Sequence, residues 1–579
     1  MAEKSNRTVI LGSVGVAVLA LAGGGTIGVM SAKSRITTMI AQVPGLKVGA
    51  WSIDAASMQL KISHIKLNQP GMNFSADALT IPMSFGNLWA MASAKADGGS
   101  ASAENVTITA PDYELSIPHI TASNASFDDA ALAKMLDAKD TMPASQRLAA
   151  LNAGSISVPI MTIHQQMATT TSRTTINNIE MTGVVQGVVA HATVGKTVAE
   201  ITANGKVGTA VQGSESIDSM SFDQFNIPGY LHWMVDTRKN NDEPRQLVLA
   251  DQKFSGIALQ FTEDLPKGVT TGNVTIKDGE VQNVRLRSMA VPGIKFSSAL
   301  PHPTPGHPTD MAGAQRTLAL ESDMFSSTSF DHLIAHDFSL AISQKPKDGT
   351  AALPPIVVTL DALTLAETAS PTGPPTGFSL GLAHLKTDLD QLPASPALTK
   401  FKTNYYSKLD LSLSNSVAWD LDKGAIELKD LTLSGVGAGA ATISFKLTNV
   451  GKTLVSTKLA DIEAALLTAK ATALHLHVDN QGVVQKILSV EAAAASQTPA
   501  QYTQQLSAGA TTVIPAVLGQ SAASQSIGAA LAKFLGDPKN LDITATSAEG
   551  IGAAEVMAAK MAGPAAIVSK LHIVANADQ

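Results

Sequence analysis

A strand-turn-strand unit recurs along this chain in diverged copies, and it restricts the fold to sheet more tightly than any other feature. One copy runs Trp51-Ser52-Ile53-Asp54 into Met58-Gln59-Leu60-Lys61-Ile62. Another runs Trp419-Asp420-Leu421-Asp422, through Lys423-Gly424, into Ile426-Glu427-Leu428-Lys429. A third reads Val274-Thr275-Ile276-Lys277, a turn at Asp278-Gly279, then Val281-Gln282-Asn283-Val284-Arg285-Leu286. Successive side chains of a strand point to opposite faces, so alternating residues around short Asp/Gly turns predict hairpins with one apolar face. On that face the candidates to line a groove are Met58, Leu60, Ile62 and Leu428.

A second repeat supports the same architecture. Ile65–Phe74 aligns without gaps on Val106–Leu115, and Pro70-Gly71-Met72-Asn73-Phe74-Ser75 returns as Pro292-Gly293-Ile294-Lys295-Phe296-Ser297. In each, an alternating strand meets a proline, which cannot donate to a ladder, and a new strand follows. Repeated units of this kind stack and share a core.

Lys4 and Arg7 precede an uncharged stretch, Thr8 to Ala32, long enough at helical rise to cross a hydrocarbon core of ~30 Å. It reads as a single transmembrane anchor closed by Lys33 and Arg35, while Ala20-Leu21-Ala22 also fits the cleavage site of a secretory signal. Either way the bulk of the chain is expected outside the cytoplasm. Hydrophobic content of 45% suffices for a core, but aromatics make up only 4%, so the interior is built from Ala, Val, Leu, Ile and Met. A net charge of −7 with scattered Lys and Arg offers no stripe for a phosphate backbone, which argues against nucleic acid as a partner. Zero cysteines exclude disulfides, thiolate metal sites and cysteine nucleophiles.

The expected organisation is an anchor or signal over 1–35 and a first β-repeat region over 36–300, with a short helical insertion near 128–151. A proline-rich connector over 301–315 follows, then a second β-repeat region over 316–455 and an Ala-rich helical region with short strands over 456–579. The helical stripes are Leu459, Ile462, Leu466 and Ile527, Leu531, Phe534; Thr498-Pro499 with Gln501 predicts a capping box. Strands are expected at Leu541–Thr546 and His572–Ala575. The fold class is therefore mainly β (α+β), an elongated antiparallel amphipathic sheet. At ~4.8 Å per strand, some twenty strands span on the order of 100 Å.

Motifs for chemistry are sparse. Gly435-Val436-Gly437-Ala438-Gly439-Ala440 satisfies a dinucleotide pattern literally, but Thr442–Leu447 alternates as a strand, so no helix N-terminus meets a pyrophosphate and a tight turn is the better reading. His475, His477 and Asp479 share one strand face at a spacing that suits a divalent metal, and equally suits the wet face of an amphipathic strand. His332 and His336, four apart, could share a helical face. There is no Gly-x-Ser-x-Gly elbow. No catalytic residue and no cofactor is assigned.

The anchor Thr8–Ala32, the segment Ile53–Ile81 and the hairpins around Asp278-Gly279 and Trp419–Leu433 together resemble the AsmA-like envelope proteins. That resemblance implies an inner-membrane anchor and a periplasmic body of amphipathic strands related to bridge-like lipid-transfer folds. The Ala-rich helical C-terminus departs from the family's strand-rich end. Two functions follow as expectations: a groove that binds or conducts phospholipid in envelope maintenance, or a scaffold with a self-packed core that binds other envelope proteins.

Overall fold

The computed structural model describes residues 45–577, apart from 55–56, 58, 70–71, 83–99, 112, 125–148, 150, 167–169, 205–209, 240–242, 266–267, 292–316, 318, 321–322, 325, 349–351, 353, 370–374 and 456–458. The N-terminal apolar segment, Met58, most of the helical insertion near 128–151 and the connector over 301–315 lie outside the described residues. The chain divides into two units, Met1–Phe330 with Gln344–Ala352 and Asp331–Ser343 with Leu353–Gln579. The described residues form 24 strands, in antiparallel ladders, and eight α-helices. None of those helices is long and apolar enough to cross a membrane.

In the first unit, β1 (Leu46–Lys47) and β2 (Ala50–Asp54) both pair with β3 (Gln59–Gln69). A meander continues through β4 (Met72–Pro82), β5 (Ser100–Ala110), β6 (Tyr113–Ser123), β7 (Ala153–Gln166) and β8 (Thr170–Val185). The repeated Ile65–Phe74 and Val106–Leu115 segments are the β3–β4 and β5–β6 hairpins, with Gln69 paired to Met72 and Ala110 to Tyr113. β8 is long enough to hold two shorter strands end to end, β9 (Val188–Val194) and β10 (Thr197–Asn204). These pass to β12 (Ser219–Asn226) and β11 (Ala210–Ile217) respectively, and both of those pair with the 20-residue β13 (Gln246–Leu265). β14 (Gly268–Leu286) and β15 (Thr328–Ser329) follow.

Asp278-Gly279, expected as a turn, lies inside β14: Asp278 pairs with Ser255 and Gly279 with Phe254. Partner strand β13 satisfies backbone groups along the whole of β14, and that ladder outweighs the local turn preference of the dipeptide.

Several strands carry a non-glycine residue with positive φ away from any turn: His64 in β3, Asn105 in β5 and Asn178 in β8. The buried residues shift parity at the same row. They are Leu60 and Ile62 then Ile65 and Leu67 in β3, Phe74 and Ala76 then Leu79 in β4, and Ala101 and Ala103 then Val106 and Ile108 in β5. Because neighbouring strands slip together, the ladder keeps its register, as in Ser63 with Ala78 and Ile65 with Ala76. Asn105 Nδ2 donates to Asp77 Oδ2 at 3.0 Å across this row. Local dislocations of this kind bend strands while keeping one face apolar, and all eleven residues meet in one core.

The second unit is a meander of β16 (His332–Pro346), β17 (Ile356–Ala369), β18 (Pro375–Asp388), β19 (Lys408–Asp420), β20 (Ala425–Gly435), β21 (Gly439–Thr448), β22 (Lys470–Asn480), β23 (Asn540–Gly552) and β24 (His572–Ala577). The Trp419 copy is the β19–β20 hairpin, with Gly424 at φ +57 in its turn. His332 and His336 lie in β16 rather than on a helix; Leu333, Ala335 and Phe338 around them serve the sheet's apolar side, which a strand satisfies without a helix.

The eight α-helices of the described residues decorate the sheets. α1 (Ile227–Val235) follows β12, capped by Asn226, whose Oδ1 accepts from Gly229 N at 2.9 Å; α2 (Pro396–Asn404) joins β18 to β19. The rest lie C-terminal, as the sequence stripes predict: α3 (Leu459–Thr468), α4 (Val483–Ala494), α5 (Pro499–Leu518), α6 (Ala522–Gly536), α7 (Ala553–Ala562) and α8 (Ala565–Val568). Thr498 and Gln501 make the expected capping box. Phe534 and Ala530 of α6 pack on Leu541, Val478, Ile543 and Ala575, covering one face of β22–β24.

Candidate functional site

Strand pairing in the second unit sorts side chains into two contrasting faces. Leu363, Leu382, Leu413 and Leu433 are cross-strand partners in one row over β17–β20. A neighbouring row on the same face reads Leu365, Leu380, Asn415, Leu431, Ile443 and Leu476. Phe338, Leu360, Leu385 and Leu411 form a third. The sequence achieves this with Leu at alternate positions, and the positive-φ residues Asp337 and His384 realign the two halves of β16 and β18.

The opposite face carries Thr364, Gly381, Ser414, Thr432, Thr442, His477 and Asp542 in one row. Thr432 and Thr442 hydroxyls meet at 2.8 Å. A shallow hollow of about 230 Å³ on this side is lined by Thr364, Gly381, Ser412, Ser414, Thr432 and Ser434 among others.

On the leucine face, burial differs along the sheet. α6 covers it over Val478, Leu541, Ile543 and Ala575, whereas Leu474 of β22 is 49%, Leu433 of β20 53% and Ile443 of β21 38% exposed. Leu363, Leu382, Leu413 and Leu431 are half-buried. An uncovered run of leucines across several strands is uncommon on a protein surface.

Of the groove candidates from the sequence, Met58 lies outside the described residues, and the other three are buried. Leu60 and Ile62 are buried in the first unit's core among Ile65, Leu79 and Val106. Leu428 is buried on β20, paired with Val417 and Phe445. Their alternation was legible; how much of each surface lies open depends on elements far away in sequence.

His475 and His477 do share a face, and the acid that meets them is Asp542 of β23. Its Oδ2 lies 2.8 Å from His475 Nε2 and 3.3 Å from His477 Nδ1. Asp479, two residues along, lies 3.4 Å from the Gln481 amide instead. Burial raises the Asp542 pKa, but the two imidazoles outweigh it and hold the carboxyl below its ordinary value. Similar cross-strand pairs recur as His119–Glu104 at 2.7 Å, His191–Asp223 at 2.6 Å and His384–Asp410 at 2.9 Å. Among the described residues no group of three or more His, Cys, Asp or Glu is placed to hold a metal ion.

A polar network in the first unit had no local sequence signal. His232 Nδ1 lies 2.8 Å from Asp236 Oδ2, and Nε2 lies 2.8 Å from Glu243 Oε1. Ionised carboxylates only accept, so both contacts are hydrogen bonds only when the ring is protonated. Glu243 also accepts from Ser288 N at 3.0 Å and Ser288 Oγ at 2.6 Å. Ser288 thus donates to a carboxylate rather than to the imidazole, which makes this a structural network and not a nucleophile with its base.

The Asp236 bond raises the His232 pKa above 6.5; burial opposes it and Glu243 reinforces it. For Glu243, burial pushes upward, but the bonds from Ser288 and His232 bring the group below 4.5. The His232 contribution is therefore complete below pH 6.5 and is lost as pH rises through the raised folded-state value. The Glu243 contribution is complete above 4.5 and is lost as pH falls through its lowered value. Calorimetric Tm should fall off on the alkaline side, and His232→Gln should flatten that limb. An unchanged alkaline limb in the variant would show that the ring is neutral in the folded protein.

One protein family, described as an uncharacterized protein, matches residues 432–578, from within β20 to the end of β24. No curated protein matches the chain. Among solved structures, the outer membrane transporter YddB from Escherichia coli aligns at 9% identity over 74% of this chain and 70% of that one, with a TM-score of 0.12.

Proposed function

We propose that the uncovered leucine face of the second unit binds the acyl chains of phospholipid, in a protein anchored to the bacterial inner membrane with its bulk in the periplasm, serving envelope maintenance. The observation that carries this reading is the open stretch of leucine rows over β17–β21, ending where α6 begins to cover the sheet. Six strands from β16 to β21 span about 24 Å at the ~4.8 Å strand spacing, comparable with one extended fatty acyl chain. Each methylene removed from water contributes about 0.8 kcal/mol, so one chain lying across these rows is held well without any charged contact. The resemblance to AsmA-like proteins supports the same reading through the apolar N-terminal segment and the hairpin repeats.

A scaffold that binds other envelope proteins is the second reading. Its support is the burial of Leu60, Ile62 and Leu428, which shows that much of the apolar pattern is spent on the protein's own cores.

Photo-crosslinking separates the two. Benzophenone residues at Leu382, Leu433 and Ile443 should yield phospholipid adducts by mass spectrometry after gentle extraction, while those at Ser414 and Thr432 on the other face should not. Protein adducts alone at the leucine positions would favour the scaffold. Equal lipid labelling of both faces would defeat the assignment of a single binding face.

A further inference from the structure

The wet side of the first unit gathers charge in one place. Cross-strand pairing sets Glu114 of β6, His164 of β7, Arg173 of β8 and Glu200 of β10 side by side in a single row. The row continues through Thr109 and Asn73 on one side and Ser214 and Gln260 on the other, none of them charged. It lies on the face opposite to the one that buries Leu67, Phe74 and Ile108. The four side chains border a hollow of about 440 Å³, nearly twice the volume of the one at Thr432 and within the range of small-molecule sites. Gln166, Thr171 and Thr202, partners in the next row of the same face, line it as well. Tyr113 of the β5–β6 hairpin adds a half-buried ring.

Opposite charges at directly paired positions are within reach of one another. His119 and Glu104 stand in that relation and close to 2.7 Å; His191 and Asp223 close to 2.6 Å. Glu114 with His164, and Arg173 with Glu200, are paired in the same way. Yet none of these four side chains makes a hydrogen bond or ion pair among the described residues. Two acceptors and two donors therefore border the hollow with their bonding capacity unused. An exposed ion pair contributes little, so keeping the four apart costs little. A ligand carrying both charges engages them without breaking any bond within the protein.

The order of the groups, acid, imidazole, guanidinium, acid, selects that ligand. A metal ion is opposed by Arg173, and a bare phosphate by Glu114 and Glu200. A molecule with an anionic centre and an amine about one strand spacing apart, ~4.8 Å, matches the row. We propose that this hollow binds a phosphoethanolamine group, whose phosphate accepts from Arg173 and His164 and whose ammonium donates to Glu200 or Glu114. Gln166, Thr171 and Thr202 are placed to meet the ester and hydroxyl oxygens beyond the phosphate. Such a group belongs either to a lipid or to a soluble ester. The site is in the first unit and does not rest on acyl-chain binding by the leucine face of the second.

Isothermal titration calorimetry of the full-length protein in detergent, with glycerophosphoethanolamine as the probe, tests this. The expected result is saturable binding at least about tenfold tighter than that of glycerol phosphate, which lacks the amine. Arg173→Gln should weaken binding of the probe by about tenfold or more. Glu114→Gln combined with Glu200→Gln should bring the probe and glycerol phosphate to equal affinity. All three residues are exposed, so these variants keep the fold. Displacement of the probe by dihexanoylphosphatidylethanolamine assigns the group to a lipid headgroup; binding that this lipid leaves undisturbed assigns it to a soluble ester, and either result supports the site. Absence of binding, equal affinity for the probe and glycerol phosphate in the parent protein, or unchanged affinity in Arg173→Gln would overturn the proposal.

Discussion

Asp323→Ala should lower the Tm of the first unit by on the order of 10 °C, from a loss of about 3–5 kcal/mol. Asp323 is buried and holds two donors: the Arg238 guanidinium through Oδ1, and Ala290 N through Oδ2 at 2.7 Å. Arg238 adds a bond from Nη1 to Ser327 Oγ at 3.2 Å, and its own N–H donates to Met289 O at 2.8 Å. Removing the carboxylate leaves an almost buried cation and a backbone N–H without their acceptor. Breaking one side of a buried pair costs far more than forming the pair contributes, since desolvation of the survivor is no longer offset. Asp323→Ala combined with Arg238→Met should recover much of the loss, because no charge is then stranded. Scanning calorimetry of the single and double variants measures this; a single variant within about 2 °C of the parent would mean that water reaches the pair.

This network also marks the limit of what could be read from the sequence. Arg238 and Asp323 are separated by 85 positions and Glu243 and Ser288 by 45, and nothing in the flanking residues signals their meeting. Such partners are set by which strands lie side by side, a property of the whole topology. Hairpins, by contrast, are local. The Trp51 and Trp419 copies and the Ile65–Phe74 repeat were legible because alternation and turn residues act within a dozen positions. Thr498-Pro499 with Gln501 announced α5 for the same reason. The same local rule failed at Asp278-Gly279, where β13 supplies a partner along all of β14 and overrides the turn preference. It also gave no warning of positive φ at His64, Asp337 or His384, residues that adopt it only because the neighbouring strands enforce the slip.

The site shows a parallel division. Leucine at alternate positions of β17–β20 specifies that a face is apolar, and that much is written in the sequence. Whether the face is then filled depends on α6, which comes more than 80 residues after β20 and packs on β22–β24. Elsewhere Leu60, Ile62 and Leu428 are buried by other neighbours while Leu433 and Ile443, equally apolar and equally alternating, stay open. The histidine cluster followed suit: the strand period placed His475 and His477 together, but Asp542 joins them from a strand that the chain reaches only after three helices.

Gly439→Ala should destabilise the second unit by about 3 kcal/mol or more, and the neighbouring Gly437→Ala by about 1–2. Both glycines belong to the run that mimics a dinucleotide fingerprint, and both serve the β20–β21 connection, with Gly437 at φ +70 and Gly439 at φ +114. Gly437 has open space around it, so an added methyl meets only the backbone preference against positive φ. At Gly439 a Cβ would fall 2.0 Å from the carbonyl oxygen of Asp479 and 2.8 Å from Gln481 N. Those are backbone atoms of the adjacent β22 chain, and no rotamer change relieves them. The pairing of Gly439 with Asn480 has to open, and with it the bond from Gln481 N to Ala438 O at 3.1 Å. Hydrogen exchange should therefore show the first amides of β21 and the last of β22 losing protection in Gly439→Ala, while β16–β18 keep theirs. Equal protection in the two alanine variants would mean that β22 yields to the methyl, and that the close approach of the two strands is not what requires glycine here.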